Sequence, residues 1–159
     1  AFGMAVNVCD PYIPQSLISD AGFTPVADFS AALADADIVT LHTPLNDETR
    51  HMIDAPALAR MKKGAILINT SRGPVADGAA LHAAIASGHI HAAGLDVFEE
   101  EPPQPANPLL AHTNSIFTPH IGGLSRECFY RSAIVCAQNS LDAIDGKLNA
   151  AYVVNPEVL

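Results

Sequence analysis

Ala65-Ile66-Leu67-Ile68-Asn69 runs directly into Thr70-Ser71-Arg72-Gly73, an apolar stretch that stops abruptly in a polar cluster. Its length suits a strand rather than a helix, and isoleucine and leucine suit a strand. Other runs have the same form. Ile38 to Leu41 ends in His42-Thr43-Pro44, Ala92 to Val97 carries Asp96 with Glu101-Pro102 close behind, and Ser115 to Phe117 ends in Thr118-Pro119-His120. Helix-like segments separate the runs, and such alternation predicts an α/β fold with a parallel sheet and helices on both faces. In open parallel sheets ligands bind outside the carboxyl ends of the strands, so the polar clusters are expected to converge on one site.

Upstream, Val6 to Asp10 alternates as a strand does, and Pro11 and Pro14 break the pattern before a short helix over Gln15 to Asp20. Asp28 can cap a helix through Ala31 to Ala36, after which Ile38 to Leu41 reads as a buried strand. Asp54 to Met61 and Gly78 to Ser87 read as helices, the latter closed by Gly88. Residues 99–113 hold Pro102, Pro103, Pro105 and Pro108, which predicts an extended loop without a helix. A long helix is expected from Ser125 to Asp145, with Phe129, Ala133, Ile134, Ala137, Leu141 and Ile144 at helical spacing.

Composition removes several classes of function. The chain has 159 residues, of which 49% are hydrophobic, enough for one sizeable core. With 8 basic and 17 acidic residues its net charge is -9, the wrong sign for a nucleic-acid partner. No apolar run reaches the roughly 18 residues that cross a bilayer, and Ala1-Phe2-Gly3-Met4 does not resemble an export signal. Cys9, Cys128 and Cys136 are odd in number, and the last two lie about 12 Å apart along one predicted helix, too far to pair. Together these features predict a cytoplasmic protein with no membrane partner. His89 and His91 have no ligand-spaced companion, so no metal site is expected, and His51, His82 and His112 read as solvated or structural.

The chemistry-bearing residues each have an ordinary alternative. Asp10, closing a strand, can accept hydrogen bonds from the ribose hydroxyls of an adenine dinucleotide and repel a 2′-phosphate, although Asp before Pro is often only a turn residue. Arg72 just past a strand can bind a carboxylate in bidentate fashion, whereas most turn arginines are simply solvated. His120 is presented between Pro119 and Ile121-Gly122-Gly123, where glycines permit close ligand approach. Glu101 follows Glu99 and Glu100, which reads either as a solvated acidic run or as the source of a carboxylate for the His120 ring. In the latter case Glu101 would orient the imidazole and raise its basicity, leaving the other nitrogen as a general acid/base.

The segments Leu67 to Gly73, Gly94 to Pro102 and Thr118 to Gly123, in that order, resemble the D-isomer-specific 2-hydroxyacid dehydrogenase family. The resemblance extends from Ala1 through Leu41-His42-Thr43-Pro44-Leu45 to Val154-Asn155-Pro156. It implies that Arg72, Glu101 and His120 are catalytic: Arg72 for the substrate carboxylate and carbonyl, His120 as acid/base, Glu101 as its partner. It implies NAD as cofactor, with Asp10, His42, Thr43, Pro44, Thr70, Ser71, Arg72, Asp96, His120, Gly122 and Gly123 around it, and Asp96 accepting from the carboxamide. The implied reaction is hydride transfer between NADH and a 2-keto acid such as glyoxylate, hydroxypyruvate or a larger relative. A formate-oxidising branch of the family has Gln where Glu101 stands, so the glutamate favours the hydroxyacid branch.

The resemblance also implies an incomplete Rossmann-like doubly wound sheet, because the family's substrate domain, first cofactor strand and G-x-G-x-x-G turn are not within these residues. Residues 1–145 are expected to form a partial NAD-binding domain, and 146–159 a segment returning towards the substrate domain. Strands ending at Asp10 and Leu41 would then flank an empty slot, and the isolated chain is expected to bind NAD weakly and to turn over little substrate. The full-length parent is expected to be a homodimer. A rival expectation is a non-catalytic NAD-sensing protein like the family's corepressor branch, which shares these positions.

Overall fold

The computed structural model describes residues 2–158; Ala1 and Leu159, the ends of the two expected domains, lie outside them. The chain divides into two compact units, Ala1–His120 and Ile121–Leu159.

The first unit is built from parallel strands and intervening helices. Strand β1 (Asn7–Val8) pairs with β2 (Thr24–Pro25), and α1 (Gln15–Asp20) crosses between them. A second sheet has the order β3 (Ile38–Leu41), β4 (Ile66–Asn69), β5 (Ala92–Leu95), β6 (Ile116–Phe117), all parallel. Helices α2 (Phe29–Ala32), α3 (Ala55–Arg60) and α4 (Gly78–Ala86) connect the strands. This is the expected α/β alternation, and neighbouring strands are consecutive in sequence because each helix returns the chain to the same sheet end. Among the described residues no strand joins β1 to β3, and the strands form two sheets.

Local chemistry sets the helix ends. Asp28, Asp54 and Asp77 each accept an N–H three residues on, from Ala31, Ala57 and Ala80, satisfying donors that a helix start leaves open. Gly88 follows α4 at φ +73°, a left-handed conformation natural to glycine. The core joins Leu41 of β3, Leu67 of β4 and Leu95 of β5 to Leu58 of α3, Leu81 and Ile85 of α4, and Ile53 and Val75 in the loops.

Four expectations change. Strand β2 adds to the expected strands, although it holds Pro25. Here Thr24 and Val26 donate to Val6 and Val8, and Pro25, lying between them, has no ladder bond to supply. Strand β3 is not buried on both faces: Val39 and Leu41 are buried, whereas Ile38 and Thr40 are exposed. Helix α2 stops at Ala32, short of Ala36. The proline-rich loop also holds one 3₁₀ turn, Pro108–Ala111, with its proline at the start, where a missing N–H costs nothing.

In the second unit, α5 (Arg126–Ile144) begins at Ser125, whose hydroxyl accepts the Cys128 N–H. Its expected apolar stripe is open: Phe129, Ile134, Leu141 and Ile144 are all exposed. No helix of the described residues is long and apolar enough to cross a membrane.

Candidate active site

The carboxyl ends of β4, β5 and β6 gather the residues of interest. Asn69, the last residue of β4, is 1% exposed and shapes the turn that follows. Its Oδ1 accepts the Ser71 N–H at 3.0 Å and the Ser71 hydroxyl at 2.9 Å, and its Nδ2 donates to the Arg72 carbonyl at 2.9 Å. Thr70 is exposed at the tip of the turn, Ser71 is buried, and Arg72 is exposed with extended backbone. The Arg72 guanidinium donates to the Ser71 carbonyl at 2.7 Å, which uses one of its five N–H groups and leaves the fork available.

Gly73 explains how closely this turn meets the next loop. A Cβ there would stand 1.9 Å from the Phe98 carbonyl oxygen and 2.5 Å from the Glu99 nitrogen. Only glycine allows that approach. On the far side of the contact, the Phe98 N–H donates to Glu101 Oε1 at 2.9 Å, and Glu101 Oε2 lies 2.7 Å from His120 Nδ1. The His120 hydrogen bond and then the Phe98 N–H hold the Glu101 carboxyl below its usual range against the opposing effect of burial, with smaller help from the charges of His120 and Arg72. Glu101 is therefore ionised at neutral pH and can only accept, so His120 Nδ1 carries the proton and donates. Nε2 is left to a ligand. His120 is 46% exposed on its side chain, and its φ of +55° is unusual for a residue with a Cβ.

Asp96, directly after β5, is 5% exposed; it accepts the Thr118 hydroxyl, and its own N–H donates to the Asn69 carbonyl at 3.0 Å. His42 follows β3 with its Nε2 3.0 Å from the Thr40 hydroxyl, Thr43 is half-buried beside Met52, and the Pro44 carbonyl accepts from Thr49. Asp10 follows β1, is exposed, and accepts the Tyr12 N–H at 2.8 Å. The Tyr12 hydroxyl donates to Glu48 at 3.0 Å, tying the segment after β1 to the loop after β3. Gly122 and Gly123 open the second unit, and nothing stands within 4 Å of a Cβ built on Gly123.

Glu101 and His120 are hydrogen-bonded within the first unit, and the Arg72 charge also acts on the Glu101 carboxyl. Asn69, Thr118 and the Tyr12–Glu48 pair were not singled out in the sequence. A signal for Asn69 did exist: an amide closing an otherwise apolar strand is buried and must find partners. His82 and His112, expected to be solvated or structural, face each other with ring nitrogens 2.9 Å apart and join α4 to the 3₁₀ turn.

The donor set fits a dinucleotide. A carboxylate has about four lone-pair sites, so Asp96 can take a carboxamide N–H alongside its protein partners. Asp10 stands at a strand end where ribose hydroxyls are commonly received.

The model of the D-isomer specific 2-hydroxyacid dehydrogenase NAD-binding domain matches residues 1–122, a span that takes in Arg72, Asp96, Glu101 and His120. The chain belongs to this family. NAD is the cofactor of that domain. Among its relatives, D-3-phosphoglycerate dehydrogenase of Methanocaldococcus jannaschii is 43% identical over 98% of this chain and 29% of its own length. Glyoxylate/hydroxypyruvate reductase B of Cronobacter sakazakii is 46% identical over 83% of this chain and 40% of its own length. The crystal structure of D-lactate dehydrogenase from Aquifex aeolicus complexed with NAD and lactic acid superposes with a TM-score of 0.82 at 30% identity, covering 92% of this chain and 48% of that one. The chain therefore spans less than half the length of these three relatives.

Removal of Asn69 tests how the arginine turn is held. Asn69→Ala leaves the Ser71 N–H and hydroxyl and the Arg72 carbonyl without their partner, and is expected to lower unfolding stability by about 1–3 kcal/mol. Urea denaturation reads this directly, and an unchanged midpoint would show that the turn holds its shape without the amide.

Proposed function

We propose that this chain supplies the cofactor-binding and acid/base half of an NAD-dependent reductase that converts a 2-keto acid to a D-2-hydroxy acid, and the reverse. The observation that carries the proposal is the 2.7 Å contact between Glu101 and His120 Nδ1, with the Arg72 charge also acting on Glu101. A lone surface histidine has no need of an ionised partner held below its ordinary range. A proton-transferring one does.

The roles follow from the chemistry of each group. The Arg72 fork pairs with the substrate carboxylate and orients the adjacent carbonyl. His120, protonated on both nitrogens, gives its Nε2 proton to the carbonyl oxygen as that oxygen becomes an alcohol, and Glu101 keeps the Nδ1 proton in place throughout. In the oxidative direction neutral Nε2 takes the hydroxyl proton back. NADH, when bound, supplies the hydride to the carbonyl carbon. Asp96 accepts from the carboxamide, Thr118 steadies Asp96, and His42, Thr43, Pro44, Thr70 and Ser71 form the wall along the strand ends. Asp10 accepts from the adenosine ribose and repels a 2′-phosphate. Glyoxylate, hydroxypyruvate or a larger 2-keto acid is the substrate class, supported by the names of the two relatives above.

The test is NADH oxidation by the full-length parent against a panel of 2-keto acids, with NADH affinity measured separately. Turnover on any member supports the proposal; tight NADH binding with no turnover on any of them would replace it with nucleotide sensing. The Asp10 role has its own measurement. Asp10→Ala is expected to narrow the preference for NADH over NADPH about fivefold, the effect of removing roughly 1 kcal/mol of repulsion between close charges in water. An unchanged ratio of the two dissociation constants would remove Asp10 from the cofactor site.

A further inference from the structure

Glu99 and His51, 48 positions apart, have no place in the roles above, yet they meet. His51 Nε2 lies 3.0 Å from Glu99 Oε2, and Glu99 Oε1 accepts the Gly78 N–H at 2.8 Å. One carboxylate thus holds the turn that follows β3 and also the first turn of α4. The His51 backbone is unusual in itself: φ is +52°, left-handed for a residue with a Cβ, and its N–H donates to the Pro74 carbonyl at 2.8 Å.

These contacts close a circuit. His51 binds Pro74 through its main chain, the neighbouring Gly73 is pressed against Phe98 and Glu99, and the Glu99 side chain returns to His51. Arg72 enters the circuit beside Gly73, and Glu101 leaves it through the Phe98 N–H. An ion pair with both partners about two-fifths exposed adds little to stability. A left-handed backbone held in place by such a pair is therefore better explained by the geometry it imposes, since strain of this kind collects where function needs a fixed shape.

We propose that Glu99 and His51 are positioning residues that set the spacing between Arg72 and the Glu101–His120 dyad. Neither touches the reacting atoms. They fix the Phe98–Glu99 backbone on which Glu101 hangs, and they fix it to the same loop that carries Arg72. This rests on the function proposed above, because only a site that uses the dyad needs its position controlled.

The experiment reads the dyad without turnover. In the 159-residue protein uniformly labelled with ¹⁵N, the two imidazole shifts of His120 report the ratio of ring carrying the proton on Nδ1 to ring carrying it on Nε2. Glu101→Ala, which removes the acceptor, serves as the reference and should abolish the Nδ1 preference. Glu99→Gln and His51→Gly are each expected to reduce the ratio by about twofold or more, as neighbours in one network do. The core amides of Leu67 and Leu95 should keep their shifts. Glycine tolerates the left-handed backbone, so a change in His51→Gly belongs to the lost ring and not to a relaxed turn.

An unchanged His120 ratio in both variants, with Glu101→Ala still abolishing the preference, overturns the positioning role and leaves the dyad standing. If Glu101→Ala also changes nothing, the dyad is not formed, and this inference and the proposed function fall together. A change in Glu99→Gln alone overturns the part given to His51.

Discussion

In the full-length parent, His120→Ala is expected to lower reduction of the preferred 2-keto acid by about a hundred- to ten-thousandfold, the range over which positioned general acids and bases act. NADH affinity should change little, because the imidazole is held by Glu101 at 2.7 Å and not by the cofactor wall. Glu101→Gln should lie between the wild type and His120→Ala, since an amide can still accept from Nδ1 but carries no charge to stabilise the imidazolium. Arg72→Lys should raise KM as well as lower kcat, because a single ammonium cannot reproduce the bidentate fork. Retention of wild-type turnover in His120→Ala would remove the acid/base role altogether. The pH dependence has a definite sign. The Glu101 carboxyl titrates below its ordinary range in the folded protein, chiefly through the His120 hydrogen bond and then the Phe98 N–H. Its contribution to stability is therefore fully present above the ordinary carboxylate range and is lost as pH falls through that range to the lower folded value. Acid unfolding monitored by circular dichroism should be less steep in Glu101→Gln than in the wild type, and identical profiles would count against the pairing.

Much of this arrangement is written in local sequence, and the remainder is not, for a physical reason. Aspartate caps at positions 28, 54 and 77 and the glycine at 88 act within a few residues, so a pattern along the chain is enough to place helix ends. Short apolar runs stopping in polar clusters likewise place β3 to β6 and the site at their ends. Three things are settled only by contacts between distant segments. Strand β2 exists because Thr24 and Val26 find Val6 and Val8. Glu99, one of three successive glutamates, looks like a solvated face until it meets His51 and Gly78. Asn69 resembles an ordinary strand end until its amide is seen to organise the arginine turn. The dyad itself became legible by another route: Glu101 and His120 are nineteen residues apart and nothing local pairs them, but the motifs around them occur in the family's order.

Gly73→Ala is expected to be the most damaging small substitution in the chain. A methyl group at that position would stand 1.9 Å from the Phe98 carbonyl oxygen, 2.0 Å from its carbon and 2.5 Å from the Glu99 nitrogen. All three are backbone atoms, so no side chain can swing aside to make room, and the two loops must separate. Overpacking of a buried site typically costs about 1–3 kcal/mol, occasionally more, and a clash with main chain from two loops belongs at the upper end. The functional consequence should exceed the loss of stability. Separation moves Arg72 away from Phe98, and with Phe98 goes the N–H that orients Glu101 at 2.9 Å. A shift of about 1 Å in a positioned group can cost on the order of a hundredfold in rate. Gly73→Ala should therefore lose turnover even at temperatures where circular dichroism shows it folded. Gly94→Ala is the matched control, because its Cβ would meet only Ile68 side-chain carbons at 3.7 and 3.9 Å, ordinary contact distances. Equal effects of the two alanines on stability and turnover would mean that the close approach of the two loops does not set the site.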